Sequence, residues 1–160
     1  MIIKLDIRES DLINLVTEHI ANVPAFKQLE IRTENLPLGD IIINDGTNDL
    51  VIIERKSIRD LAASIKDGRY EEQSYRLNGI DHHNHNIIYL IEGDLNKPVS
   101  SNFRDKIDKL TIFSAITSLS LYKGFSVIRT MNLNETSVFI CNTANKMRKN
   151  ANEKKKLFYG

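Results

Sequence analysis

The stretch that most constrains this chain begins at Gly39-Asp40, runs through thirteen residues to Glu54-Arg55-Lys56, and reaches Asp60 three residues later. Ile41, Ile42 and Ile43 form a β-branched run. Asp45-Gly46-Thr47-Asn48 carries turn chemistry, and Leu50, Val51, Ile52 and Ile53 form a return strand. A hairpin running into a helix is the backbone these residues predict, with the charges at the far ends of both strands.

Strand side chains alternate between faces, and cross-strand partners lie opposite one another. If Gly46, Thr47 and Asn48 close the loop, Asp45 pairs with Asp49, and counting back sets Asp40 opposite Glu54 on one face. Lys56 points to that face and Arg55 to the other. Isoleucine-rich strands leave little water for two carboxylates, so the arrangement costs free energy unless a positive charge sits between them. A divalent cation meets that need, with Lys56 beside it. The competing reading is a solvated rim in which Lys56 neutralises Glu54. Against it, apolar residues bracket the charges, both acids and the lysine share a face, and a helix follows at once.

The pattern Gly39-Asp40, Glu54-Arg55-Lys56, Asp60-Leu61 resembles the signature of XPF-type structure-specific DNA endonucleases, within the wider PD-(D/E)XK nucleases. Asp6-Ile7-Arg8-Glu9, Gly68-Arg69-Tyr70, Gln73 and Arg76-Leu77 agree with that family, and the resemblance covers roughly residues 2 to 130. It implies an α/β fold, a mixed central sheet flanked by helices with a restriction-endonuclease-like core. It also implies Mg²⁺ or Mn²⁺ held by Asp40 and Glu54, with Asp6 a direct or water-mediated ligand. Catalytic roles fall to Asp40, Glu54, Lys56, Arg55 and Asp60, with Arg55 either holding a neighbouring phosphate or bracing the site, and nucleic-acid contacts to Arg8, Arg69, Gln73 and Arg76. The implied partners are branched or flapped DNA, cut to leave a 5′ phosphate, and a second nuclease-type domain in a homodimer or heterodimer. Family members usually carry a helix-hairpin-helix pair after this domain; here no such pair is visible. The chain reads either as the nuclease part of a longer protein or as a minimal enzyme that borrows a DNA-binding surface.

The length of 160 residues suits one domain, and 41% hydrophobic with 27% charged residues is an ordinary globular composition. No stretch approaches the run of about 18 apolar residues that a spanning helix needs. The start, Met1-Ile2-Ile3-Lys4-Leu5-Asp6, lacks the pattern of a secretion signal. The expectation is an intracellular protein, nuclear in a eukaryote and otherwise cytoplasmic, without a membrane partner. The single cysteine, Cys141, excludes an internal disulfide and reads as a small buried apolar residue. A net charge of +1 says nothing by itself of nucleic acid, because phosphate binding needs local basic density. Residues 146–160 supply such density in Lys146, Arg148, Lys149, Lys154, Lys155 and Lys156. We read 1–145 as the nuclease domain and 146–160 as a basic tail, either frayed in solvent or touching DNA.

In chain order, residues 2 to 8 alternate as a half-buried strand, with Ile3, Leu5 and Ile7 on one face and Lys4, Asp6 and Arg8 on the other, so that Asp6 reads either as a group near the metal or as part of an ordinary polar face paired with Arg8. Ser10 or Asp11 offers an N-cap to a helix whose stripe is Leu12, Leu15, Val16, His19 and Ile20. His19 reads as a hydrogen-bonded boundary histidine. Phe26 to Thr33 reads as a strand. Ser57 with Asp60 fits a capping pair for the helix after the motif, so Asp60 has both a capping and a catalytic reading. Arg69, Gln73 and Arg76 form one polar stripe, either phosphate contacts or a solvated face paired with Glu71 and Glu72. Asp81-His82-His83-Asn84-His85 reads as a polar loop rather than a zinc site, having no cysteine partner. Ile87 to Ile91 is a buried strand ending at Glu92, an acid either near the metal or solvated. Ser100 or Ser101 caps a long helix stopped by Gly124, Phe125 to Thr130 is a strand, and Asn134 opens a final helix. The apolar density at Leu110 to Leu121 and Val138 to Met147 either fills two core helices or pairs with another domain.

Two further function classes stay open. One is a catalytically dead partner subunit, disfavoured because Asp40, Glu54, Lys56 and Asp60 are all present. The other is a related nuclease acting on RNA or on simple duplex ends.

Overall fold

The β-branched runs settle into six strands, separated by segments whose apolar residues recur at helical spacing. The computed structural model describes residues 1–67, 82–96 and 109–160. Its strands are β1 (Ile2–Asp6), β2 (Glu30–Glu34), β3 (Ile41–Asn44), β4 (Asp49–Ser57), β5 (Ile87–Glu92) and β6 (Ser126–Thr130). They form a mixed sheet in the order β2-β1-β3-β4-β5-β6. The helices are α1 (Ser10–Asn22), α2 (Ile58–Asp67), α3 (Lys109–Thr117) and α4 (Leu133–Asn152). Two compact units divide the chain, Met1–Glu54 with Leu133–Gly160, and Arg55–Asn132.

In the first unit β1 pairs parallel with β2 and antiparallel with β3. Helix α4 packs on α1 and on β1. Ile3, Leu5, Leu12, Val16, Ile41, Ile43 and Ile140 are wholly buried, so the core lies between these helices and the sheet. His19 Nδ1 meets Ser137 Oγ at 2.7 Å, the boundary hydrogen bond the helical stripe implies. Burial pushes the Cys141 thiol up to about 11, consistent with its apolar role. Strand β2 lies at the sheet edge and is largely exposed, and its Glu30 and Arg32 pair at 3.2 Å. Charges of this kind blunt edge-to-edge pairing.

In the second unit β5 runs parallel to β6, and α2 packs on β5 and on α3. Ile87, Tyr89, Leu90 and Ile91 are buried, and the Tyr89 ring tilts against Phe125 at a centroid distance of 5.1 Å. Arg129 donates to the carbonyls of Ile91 and Gly93, tying the ends of the two strands. Gly124, at φ +76°, stops a π turn that continues α3.

Four local expectations are corrected. The first strand ends at Asp6, because the Glu9 amide turns back onto the Asp6 carbonyl, and Ile7 is 56% exposed rather than in the core. Glu9 rather than Ser10 or Asp11 occupies the cap of α1, with no side-chain capping bond. Pro24–Phe26 forms a 3-10 turn, which delays β2 to Glu30. In the hairpin Asn44, not Asp45, pairs with Asp49, through a bulge next to Ile43.

Candidate functional site

That bulge absorbs the one-residue error in the loop and leaves the register beyond it as counted. Ile43 opposes Val51, Ile42 opposes Ile52 and Ile41 opposes Ile53, so Asp40 and Glu54 are the residues that flank the last pair at this end of the hairpin. The backbone of Asp40 is clamped on both sides: its amide donates to the Ile53 carbonyl at 2.8 Å, and its carbonyl accepts from the Asp6 amide at 2.9 Å. Because Leu5 opposes Ile41, the same row continues to Asp6. Asp6 ends β1, Asp40 immediately precedes β3 and Glu54 lies in β4, so three acids occupy neighbouring positions within the first unit.

Gly39 makes the entry to this row possible. Its φ is +76°, and a Cβ there would sit 2.6 Å from Ile52 Cγ2 and 3.3 Å from the Ile53 carbonyl oxygen. Gly39→Ala should cost about 1–3 kcal/mol in strain and displace Asp40. Chemical denaturation, with cleavage measured on the surviving folded protein, would check both effects.

The three acids are not equivalent. Asp6 is fully buried, and both its oxygens are engaged: Oδ1 accepts from the Arg8 amide at 3.0 Å and Nε at 2.9 Å, and Oδ2 from Arg8 NH2 at 3.3 Å and the Leu36 amide at 3.1 Å. Hydrogen bonds from Arg8 lower the Asp6 pKa to about 2, against the opposing effect of burial. Arg8 itself is held charged chiefly by Asp6, with a smaller contribution from Asp40. Among the described residues no group of three or more His, Cys, Asp or Glu side chains could together hold a metal ion. Asp6 thus serves in this structure as an anchor joining the end of β1, Arg8 and the segment that leads to Gly39.

Since the folded pKa of Asp6 is depressed, its contribution to stability is complete above about pH 4 and is lost as pH falls towards 2. Asp6→Ala should lower stability at pH 7 by about 1–3 kcal/mol, the usual result of stranding buried donors. The loss should shrink as the pH is taken down through that window, which denaturant titrations at several pH values would follow.

Strand β4 continues past Glu54, and its pleat alternates Arg55 with Lys56. In the second unit Arg55 makes a forked pair with Glu92 at the end of β5: Nε to Oε1 at 3.0 Å and NH2 to Oε2 at 2.7 Å. Their side chains are 23% and 11% exposed, so this is a partly desolvated ion pair rather than a surface contact. Lys56 is half-buried. Ser57 Oγ accepts from the Asp60 amide at 3.0 Å, capping α2, while Asp60 itself is exposed. Glu92 is the residue whose weight sequence reasoning underrated. An acid directly after a buried strand was the available signal, but its pairing with Arg55 depends on contact across the fold.

Arg69, Gln73 and Arg76, together with Gly68, Tyr70, Glu71, Glu72, Leu77 and Asp81, lie outside the described residues, as do Ser100, Ser101, Phe103 and Ile107. In the histidine-rich segment, Asn84 donates to the Lys123 carbonyl at 2.6 Å and the His85 carbonyl accepts from Ser126 Oγ at 2.6 Å, which fasten it as a connecting loop.

A mixed sheet flanked by helices, with paired acids at the end of its central hairpin, defines an α/β nuclease fold. The ERCC4 domain model matches residues 5–143, and the chain belongs to that family of XPF-type nucleases. It is 33% identical over 145 residues to the probable crossover junction endonuclease mus81 of Dictyostelium discoideum, covering 78% of this chain and 15% of that protein. To the crossover junction endonuclease mus81 of Aspergillus fumigatus it is 36% identical over 138 residues, covering 74% and 22%. It therefore spans less than a quarter of the length of these relatives. Among solved structures, XPF from Aeropyrum pernix superposes with a TM-score of 0.68 at 25% identity, covering 96% of this chain and 69% of that one. The same protein in complex with DNA gives 0.63.

Proposed function

We propose that this domain is a metal-dependent endonuclease that hydrolyses phosphodiester bonds in branched DNA such as 3′ flaps, forks or junctions. The observation that carries the reading is the placement of Asp40 and Glu54, each one residue from the wholly buried Ile41–Ile53 pair at the end of the hairpin. Two carboxylates at a strand end fit Mg²⁺ or Mn²⁺, because Mg²⁺ is typically held by one or two carboxylates with water and substrate phosphate completing its shell. Asp6, saturated by Arg8 and Leu36, would act as an anchor or through water. When bound, such an ion supplies Lewis acidity towards a phosphoryl oxygen and a more acidic water.

The chain's own residues do the rest. Asp40 and Glu54 would hold the cation and orient the attacking water. Lys56 would donate to a non-bridging oxygen, offsetting charge that develops there. Arg55, drawn to Glu92, would brace β4, and exposed Arg8 would contact phosphate. Asp60 would stabilise the start of α2, with a catalytic role reserved for a state with DNA bound. Among the described residues no base-reading element is evident, so recognition would be of shape and backbone. Arg69, Gln73 and Arg76 are proposed phosphate contacts on the motif alone.

A pairing surface accompanies this reading. Leu110 and Phe113 on α3, with Leu121 and Tyr122 in the π turn after it, are between 51% and 85% exposed. Such a run of large apolar side chains fits a second nuclease-type domain, either a copy of this chain or an inactive relative. No helix among the described residues is long and apolar enough to cross a membrane, and an intracellular location, nuclear in a eukaryote, is part of the proposal. Labelled flap, fork, four-way-junction and linear duplex DNA, each with and without metal, provide the test. Metal-dependent cutting of the branched forms is expected. Binding without cleavage under any metal would instead favour the inactive-subunit reading.

A further inference from the structure

The basic segment after α4 is not a frayed tail. The amide of Lys154 donates to the Ala151 carbonyl at 3.0 Å and that of Lys155 to the Asn150 carbonyl at 2.8 Å, which together form a Schellman stop. Lys154 holds the left-handed position of that motif at φ +59°, a conformation that costs a non-glycine residue about 1–2 kcal/mol. The turn sends the following residues back towards the tip of the β3–β4 hairpin. Between them lies a cavity of about 480 Å³, lined among others by Asn48, Leu50, Met147, Asn150, Lys156 and Leu157. It lies wholly within the first unit.

Its chemistry is mixed in a particular way. Leu50, Met147 and Leu157 supply an apolar wall, Asn48 and Asn150 supply amides that both donate and accept, and Lys155 and Lys156 supply positive charge at the rim. Lys155 meets Glu153 at 3.0 Å, but both side chains are more than half exposed, so water screens that pair and it yields easily to a phosphate. Asp45 also lines the cavity; its Oδ1 accepts the Thr47 and Asn48 amides at 2.8 and 2.7 Å, which hold its pKa low and confine its charge to the hairpin turn. Next in sequence stands Phe158, 87% exposed and edge-on to Tyr159 at 4.8 Å between centroids. An exposed aromatic ring beside lysines is the usual platform for unpaired bases.

We infer that the cavity between the hairpin tip and residues 155–158 binds a single-stranded nucleic-acid segment, taking one nucleotide into the pocket while Phe158 stacks the next base. Lys155 and Lys156 contact the phosphates between them. Four-residue β3 separates this tip from Asp40 by roughly 13 Å, so the strand site is distinct from the acids. It extends the DNA reading above without depending on cleavage.

Fluorescence anisotropy of the whole chain in EDTA with labelled oligo-dT and oligo-U separates the two questions, since no hydrolysis is involved. Wild type should bind the single strands in preference to a duplex of equal length. The double substitution Lys155→Ala with Lys156→Ala should raise Kd about tenfold and lower the slope of log Kd against log salt by about 1.4, at roughly 0.7 per phosphate contact. Phe158→Ala should raise Kd at least about fivefold, with folding checked by circular dichroism for both. Equal weakening of dT and U assigns the site to either nucleic acid, and loss confined to one assigns it to that one. Unchanged affinity and salt slope in the lysine variant, or equal competition by duplex, would overturn the inference.

Discussion

Asp40→Asn and Glu54→Gln should each reduce cleavage of branched DNA by about 10³-fold or more while leaving the fold intact. A carboxylate holding a cation contributes several kcal/mol of charge stabilisation in the transition state, and each factor of ten corresponds to about 1.4 kcal/mol. Neither replacement should unfold the protein. Asp40 is fixed through its backbone, by the Ile53 carbonyl and the Asp6 amide, and both residues are partly exposed. The amides keep shape and hydrogen bonding while removing charge. Retention of the thermal midpoint together with loss of cutting, measured with Mg²⁺ and with Mn²⁺, is the expected result. Cleavage at the wild-type rate in both variants would reject the site.

Glu92→Ala should have the largest effect on stability among single substitutions outside the hydrophobic core, about 2–4 kcal/mol. The estimate sits at or below the roughly 3–5 kcal/mol typical when one partner of a fully buried ion pair is removed, because the Arg55 side chain keeps 23% exposure. The loss arises from keeping a half-buried guanidinium in place without the carboxylate that its Nε and NH2 share. Arg55→Met combined with Glu92→Leu should recover much of it, since two apolar side chains need no desolvation of charge. Urea titrations of the single and double variants form a cycle that isolates the pair. If the double variant is no more stable than Glu92→Ala, the pair is not the source. Cleavage by the recovered double variant would then show whether Arg55 acts only as a brace.

The hairpin was legible because its information is local. Three consecutive isoleucines, a turn rich in Asp, Gly and Asn, and a hydrophobic return strand determine pairing, and a period of two then determines faces. The loop was misjudged by one residue, since Asn44 bonds both the Gly46 amide and Asp49 and so closes the turn earlier. The bulge hid that error from the site. The first strand was legible to Asp6 but not beyond, because alternation continues in Ile7 and Arg8 after the backbone has turned. Asp60 bonded to Ser57 was legible for the same reason as the hairpin: three residues separate them.

The roles of Asp6 and Arg55 were only partly legible. The Asp6–Arg8 pair was one of the two readings the sequence offered, but the saturation of Asp6 also depends on Leu36, thirty residues away, and on a burial no pattern in residues 2 to 8 announces. Arg55 faces Glu92, thirty-seven residues on, across a contact that no local period encodes. The basic segment looked equally frayed or functional until the Schellman turn set it beside the hairpin tip.

By itself, then, the amino-acid order determined the hairpin and its register from Ile41–Ile53 to Ile43–Val51, the capping at Ser57 and the family. Those depend on backbone periodicity and on bonds between near neighbours. Only the tertiary structure decided that Asp6, Arg8, Arg55 and Glu92 are occupied in holding the protein together. Desolvation and hydrogen-bond saturation are set by what packs around a group, and in this fold those neighbours come from distant parts of the chain.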